Sequence, residues 1–380
     1  MWGTSYLLPA KRYSSTSLLA LPVLEFRFGG VVARTYHHHV SEQNRRIVLA
    51  QRPSGLVDTS TTRLETEPLP ELNDGEALVK VQYLSIDPTI RTWMDDVPSY
   101  LPPIQIGEVI RSGGVGEIIE SRSDAYQPGQ LVFGMTGWQD YVVVDEGERA
   151  MQVLPEGVSP GLAIGILGVT GMTAYFGMTD VGQVKDGDVV VVSGAAGATG
   201  SAAGQIAKIK GANKVVGIAG GPEKCAYVVD ELGFDEAIDY KNENVASRLQ
   251  QACPDGIDLY FDNVGGSILN DCLANLAMRG RVVLCGAIST YTSDGPPPGP
   301  SNYLNLLVRR GRMEGFIILD YLDRFPAAQM EIAGWIAGGK IKSSEHVVEG
   351  LEKAPDALNL LFSGGNTGKL IVALEMATLL

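Results

Sequence analysis

The stretch "VVVVSGAAGATGSAAGQIAKIKGA", Val189 to Ala212, constrains the fold more than any other part of this chain. Val189 to Val192 form a continuous apolar, β-branched run, the pattern of a short strand buried on both faces. From about Thr199, the residues Ala202, Ala203, Ile206 and Ala207 recur at helical spacing, and Ile209 continues that side. Between strand and helix stand Gly194, Gly197 and Gly200. Glycine permits a tight turn and lets a backbone approach a ligand closely. The first N–H groups of a helix have no internal partners and suit a phosphate. Glycines used only for close packing would give a similar turn. Here small residues continue into the helix, which favours close helix–strand packing under a pyrophosphate.

The next strand bears on which nucleotide. "NKVVGIAGGPEKC" places a strand over Lys214 to Ile218. An NAD site would put an acid at its end, against the ribose 2′-hydroxyl. Ala219, Gly220 and Gly221 stand there instead, and Lys224 follows within a turn as a compact charge for a 2′-phosphate. Alone, Lys224 would pass for an exposed helix lysine. Missing acid and placed lysine together predict NADPH.

A chain of 380 residues is too long for one ordinary core and suits two domains. With 45% hydrophobic and 19% charged residues it is globular in composition. The net charge of −14 argues against a nucleic-acid partner. No apolar run reaches the length of a membrane span, so no membrane partner is expected. Cys225, Cys253, Cys272 and Cys285 have no CxxC spacing, and a reducing, cytoplasmic setting fits them. Residues 1–45 differ. Lys11, Arg12, Arg27, Arg34 and Arg45 face only Glu25 and Glu42, and the stretch is rich in serine. Organelle transit peptides share this composition, so a mitochondrial or other organellar address stands beside a disordered leader or an overlong gene start. His37 to His39 have no companion ligands in the leader and are expected to be inert.

From Arg46, "NRRIVLAQRP", "EALVKVQYLSID", "GEVIRSGGVGEIIES" and "GQLVFGMTGWQDYVVVD" are short strands separated by Gly, Pro and Asp. From about Leu162 strands and helices alternate, as in a doubly wound parallel α/β sheet. The expected division is a leader over 1–45, a β-rich domain over 46–165 completed by 330–380, and a nucleotide-binding Rossmann domain over 166–329. "SDGPPPGPSNY", Ser293 to Tyr303, sits between two sheet strands and reads as a stiff loop over a site.

The order of "LGVTGMTAYFGM", "SGAAGATGSAAGQIAK", "GGPEKC", "IDYKN", "YFDNVGG", "RMEGFI" and "NTGKLIV" resembles the medium-chain dehydrogenase/reductase superfamily. Within it, the chain is similar to the zinc-free NADPH-dependent double-bond reductases. The resemblance covers about Arg46 to Glu375. It implies a GroES-like β-rich substrate domain beside the Rossmann domain, a homodimer, and 1,4-reduction of α,β-unsaturated carbonyl compounds such as enals, enones, oxo-lipids or curcumin-like molecules. It assigns Gly197, Ala198, Thr199, Gly200 and Ser201 to the pyrophosphate turn. Lys224 and Tyr240 fall at the 2′-phosphate and Asn263 at the ribose. Cys285 to Tyr291 match a loop against the nicotinamide. Phe316, Ile317 and Ile318 match a backbone edge near the carboxamide, and Asn366 a late contact.

Zinc-dependent relatives place Cys near the end of "YLSID" and His-Glu at "IGEV". Here Ser85, Ile86 and Asp87, then Ile106, Gly107 and Glu108, occupy those places, and no cysteine precedes residue 225, so no metal is expected. Hydride addition then needs another donor for the oxyanion. Tyr303 and Tyr291, at the two ends of the Pro-rich loop, are the candidates. Some relatives carry a catalytic tyrosine where this chain has Pro297 or Val308. Tyr83 and Tyr100 are expected to line the substrate pocket. A quinone reductase on the same fold and a non-catalytic NADPH-binding protein are the alternative readings.

Overall fold

The computed structural model describes residues 43–374 apart from Asp294 and Pro296. The leader up to residue 42, His37 to His39 with it, lies outside the described residues. The chain enters on strand β1 (Gln43–Leu49), which pairs antiparallel with β2 (Thr62–Pro68). Folded structure therefore starts ahead of Arg46. Asn44 explains why. It is buried, and its side chain exchanges hydrogen bonds with the backbone of Tyr141, donating at 3.1 Å and accepting at 3.0 Å.

The β-rich lobe continues through β3 (Ala77–Ser85), helix α1 (Thr89–Trp93), β4 (Gly113–Ser121), β5 (Leu131–Met135), β6 (Tyr141–Val144) and β7 (Gln152–Val153). Helices α2 (Pro160–Ile164) and α3 (Val169–Phe176) lead into the second lobe. There, β8 (Val189–Ser193), α4 (Ala198–Ile209), β9 (Lys214–Ala219), α5 (Pro222–Ala226), β10 (Glu236–Asp239), α6 (Val245–Ala252), β11 (Ile257–Asp262), α7 (Gly266–Ala274), β12 (Leu276–Leu284), α8 (Leu304–Arg309) and β13 (Arg312–Gly315) alternate in sequence. Helix α9 (Phe325–Ala337) follows, and β14 (Glu345–Glu349), α10 (Ala354–Ser363) and β15 (Lys369–Ala373) return to the first lobe.

The second lobe holds a six-stranded parallel sheet of order β10-β9-β8-β11-β12-β13, the doubly wound order that reverses between β8 and β11. Its central strand shows why an unbroken valine run is needed. Val190 and Val192 pack on the side of α4, while Val191 packs on the opposite face with α6 and α7 residues. Both faces are covered, so neither can be polar. The first lobe holds the two-stranded β1–β2 sheet and a seven-stranded sheet in which β14 and β15 run parallel and β15 joins β3 antiparallel. Helix α9 departs from the expected division. Its Ala328, Ile332 and Trp335 are buried in the nucleotide-lobe core beside α3 and α4 residues, and strand structure resumes only at Glu345. Among the described residues, no helix is long and apolar enough to cross a membrane.

Candidate active site

The turn after β8 lies at the reversal point of the parallel sheet, where such folds bind ligands. Helix α4 starts at Gly197, a cap with no side-chain oxygen for the first N–H groups. Gly200 lets the helix settle onto the turn. A Cβ there would lie 2.3 Å from the Gly194 carbonyl oxygen. Ser201 turns inward, its Oγ donating to the Ala198 carbonyl at 3.1 Å. Ala198 and Thr199 are half-buried at the helix start. The last glycine of "GGNTG" closes this end, Gly368 N–H donating to the Ala196 carbonyl at 2.8 Å. A small cavity beside it is lined by Ala198, Ser201, Thr170, Ser344 and Lys369.

Lys224 and Tyr240 meet beyond the end of β9. Tyr240 lies over Gly220, where a Cβ would stand 2.8 Å from the ring. A Cβ on Gly364 would lie 3.7 Å from the Tyr240 hydroxyl and 4.0 Å from Lys224 Nζ. Lys224 Nζ donates to the Gly364 carbonyl at 2.9 Å. Burial holds the Lys224 amine below the usual lysine range, and the charge of Lys241 adds to the effect. An amine desolvated beside another cation is short of an anion. These residues fit the 2′-phosphate of NADPH: a charge, a hydroxyl and glycines that leave room.

At the ends of β11 and β12 the backbone is tied down tightly. Asn263 N–H donates to Ser193 Oγ at 2.9 Å and its Nδ2 donates to the Ser193 carbonyl at 2.7 Å. That leaves Oδ1 for a ligand. Asp262 is buried, accepts the Tyr260 hydroxyl at 2.7 Å, and receives the N–H groups of Val264 and Gly265 at 2.9 Å each. Cys285 N–H donates to the Asp262 carbonyl at 2.9 Å, and burial pushes its thiol up to about 12. It is a packing thiol, not a nucleophile. Tyr291 folds back so that its hydroxyl accepts the Ala287 N–H at 3.1 Å. Burial raises its pKa against that N–H, and Cys285 and Tyr100 raise it further. The hydroxyl thus keeps its proton and can donate it.

The first lobe supplies the facing wall. Trp93 Nε1 donates to the Tyr100 hydroxyl at 3.2 Å, and the two rings meet edge to face. Burial raises the Tyr100 pKa, and Asp87 contributes in the same direction. Arg52 holds this segment in place by donating to the carbonyls of Met94 and Ile104. Asp87 is bound by Lys369 Nζ at 2.5 Å and by the Ser85 hydroxyl. Lys369 is almost wholly buried, so this pair is a fixed joint between β15 and the start of α1.

The remaining sequence candidates have the following surroundings. Tyr303 is 59% exposed at the start of α8, because Ser301 and Asn302 anchor the end of the Pro-rich segment on Asn270 of α7. Tyr83 packs with Val115, Ala163, Ile164 and Ile371 in an apolar cluster. Phe316 and Ile318 pack their side chains on the nucleotide-lobe core, Phe316 edge-on to Tyr321, while Ile317 is extended. Asn366 is buried with its Nδ2 donating to the Gly368 carbonyl at 3.1 Å. Sequence reasoning missed Trp93, Arg111, Lys241, the Gly364 carbonyl and the Asp87–Lys369 pair. Only "NTGK" carried a hint, since its lysine adjoins the glycine that meets the turn. Among the described residues, no three His, Cys, Asp or Glu side chains cluster as metal ligands.

A doubly wound nucleotide lobe with a phosphate-fitted turn, joined to a β-rich lobe, defines a two-lobed dehydrogenase or reductase. The comparisons refine that class. Residues 45–153 match the family described as the N-terminal domain of oxidoreductase, and residues 198–333 match the one described as zinc-binding dehydrogenase. The NADPH-dependent curcumin reductase of Escherichia coli is 40% identical over 87% of this chain and 97% of its own. The NADP(+)-dependent 2-alkenal reductase of Nicotiana tabacum is 38% identical over 87% of this chain and 97% of its own. The crystal structure of CurA from Vibrio vulnificus in complex with NADPH superposes with a TM-score of 0.83 at 42% identity, covering 88% of this chain and 100% of that one. The chain belongs to the zinc-free NADP-dependent double-bond reductases of the medium-chain dehydrogenase/reductase superfamily.

Proposed function

We propose that this protein is an NADPH-dependent reductase of the carbon–carbon double bond of α,β-unsaturated carbonyl compounds. Curcumin and 2-alkenals, named in the relatives' activities, share that group. The observation that carries the mechanism is the Tyr291 hydroxyl, folded back onto the loop after β12 where it accepts the Ala287 N–H at 3.1 Å. Bound NADPH supplies the hydride to the β-carbon. Negative charge then gathers on the carbonyl oxygen, and the Tyr291 hydroxyl donates a hydrogen bond to it. Tyr100 and Trp93 form an apolar wall with a polar edge that orients the conjugated system. A proton from solvent completes the addition at the α-carbon. Lys224 and Tyr240 hold the 2′-phosphate, and the open N–H groups of α4 receive the pyrophosphate. The test is consumption of NADPH with an aliphatic enone, with the product identified. Loss of the enone double bond is expected, and faster turnover of a quinone would favour the quinone-reductase reading.

A homodimer belongs to the same proposal. Among the described residues, strand β13 is the last strand of the parallel sheet and has a partner on one side only. Beside it, Leu304, Leu307 and Val308 of α8 are 58%, 74% and 63% exposed. An apolar group next to an unpaired edge suits pairing of two copies across a two-fold axis. Leu307→Glu combined with Val308→Glu is expected to shift the mass in solution from dimer to monomer. A wild-type monomer at all concentrations would contradict the pairing.

A further inference from the structure

The turn that joins β11 to α7 holds the loop after β12 almost residue by residue. The Asp262 carbonyl accepts the N–H groups of Cys285 and Gly286 at 2.9 and 3.0 Å. The Asn263 carbonyl accepts the Ile288 N–H at 3.2 Å. The Val264 carbonyl accepts the Ser289 N–H at 3.2 Å and the Ser289 hydroxyl at 2.6 Å. Gly265 lets the two segments touch. Its φ is +71°, and a Cβ there would lie 3.1 Å from the Ala287 Cβ. Tyr291 ends this loop, and its hydroxyl is set by the Ala287 N–H of the same loop. The place of that hydroxyl is therefore only as well defined as the turn.

One side chain shapes the turn. Asp262 Oδ1 accepts the Tyr260 hydroxyl at 2.7 Å and the N–H groups of Val264 and Gly265 at 2.9 Å each, and it lies 3.2 Å from Ser193 Oγ. These groups come from β8, from β11 and from the turn itself. The other oxygen, Oδ2, is buried and has no hydrogen-bond partner among the described residues. A carboxylate buried with one oxygen unpaired costs stability. Burial raises its pKa against the pull of those hydrogen bonds. A neutral acceptor would serve stability alone at least as well. What the carboxylate adds is definition, since charge-assisted hydrogen bonds are shorter and stronger than neutral ones and here converge on one atom. We propose that Asp262 is a positioning residue for the reduction: its carboxylate fixes the turn, the turn fixes loop 285–291, and the loop presents the Tyr291 hydroxyl to the developing oxyanion. This rests on the reading of Tyr291 as the oxyanion donor and adds the group that aims it.

Three substitutions test the role. Asp262→Asn keeps an acceptor oxygen and removes the charge, and Asp262→Ala removes both. Tyr260→Phe takes away one donor and leaves the N–H contacts of the turn, which covers the case in which Asp262→Ala does not fold. Each is made in the wild type and in Tyr291→Phe, and kcat with 3-nonen-2-one is measured beside the Kd for NADPH. The expected fall in kcat is about ten- to a hundredfold in Asp262→Ala, smaller in Asp262→Asn, and about two- to threefold in Tyr260→Phe. The same changes should be nearly silent in the Tyr291→Phe background, because the group they aim is gone. The Kd for NADPH should stay within about threefold, since Lys224 and the start of α4 are untouched. In the cofactor-free protein, amide hydrogen exchange over 285–291 should quicken about tenfold in Asp262→Asn while α4 keeps its protection. Equal losses in the two backgrounds, or an unchanged kcat with only a lower melting temperature, would overturn the positioning role. No loss in Tyr291→Phe alone would instead remove the donor reading, and this role with it.

Discussion

Replacing Lys224 by Ala should raise the KM for NADPH about ten- to over a hundredfold and leave the KM for NADH nearly unchanged. The amine is half-buried beside Tyr240 and Gly364, and its desolvation is opposed by no acid in the strand turn. A charge-assisted contact of this kind contributes about 1.5–3 kcal/mol. It acts only on the cofactor that carries the 2′-phosphate, so the two nicotinamide cofactors separate the effect from general damage. Steady-state kinetics with each cofactor checks it. Parallel losses with NADH and NADPH would mean that Lys224 supports the fold through the Gly364 carbonyl rather than reading the phosphate.

The second large effect concerns the oxyanion. Tyr291→Phe removes one hydroxyl and keeps the ring. That hydroxyl accepts the Ala287 N–H at 3.1 Å, which fixes its position, and burial keeps it protonated, so its O–H is available to donate. A donor to charge that exists only during reaction should affect kcat and kcat/KM alike while NADPH binding holds. Loss of such a donor costs about 2.7–4 kcal/mol in a fully preorganised site. Tyr100 and solvent can partly replace it here, so a fall of about ten- to a hundredfold in kcat is expected. Tyr303→Phe should leave kcat near the wild-type value, because that side chain is exposed on α8. Unchanged turnover in Tyr291→Phe would remove tyrosine from the mechanism.

These two tyrosines show where sequence reasoning reaches and where it stops. Both border the Pro-rich loop, and both lie near the cofactor segment in sequence. Local pattern could not tell that Asn270 on the preceding helix anchors the end of the loop and carries Tyr303 to the surface. The strand–turn–helix at Val189 was legible because strand period, small residues and helix period are all local. Lys224 was legible because its distance from the strand end is short and covalently fixed. The Asp87–Lys369 joint was not, since its partners are 282 residues apart and each has ordinary neighbours in sequence. The expected boundary at 329/330 cuts through helix α9 for a related reason. An apolar helix face shows that it will be buried but not against what, and Trp335 joins α3 and α4 in the core. The wall of Trp93, Tyr100 and Arg111 depends on a loop folding back across α1, which no periodicity records.

The central claim is that reducing equivalents from NADPH go to the double bond and not to the carbonyl. Incubation with 3-nonen-2-one and NADPH, followed by identification of the product, tests it most directly. The account predicts the saturated ketone in a one-to-one ratio with NADPH consumed. An allylic alcohol as the product, or no NADPH consumption with any enone, would contradict it.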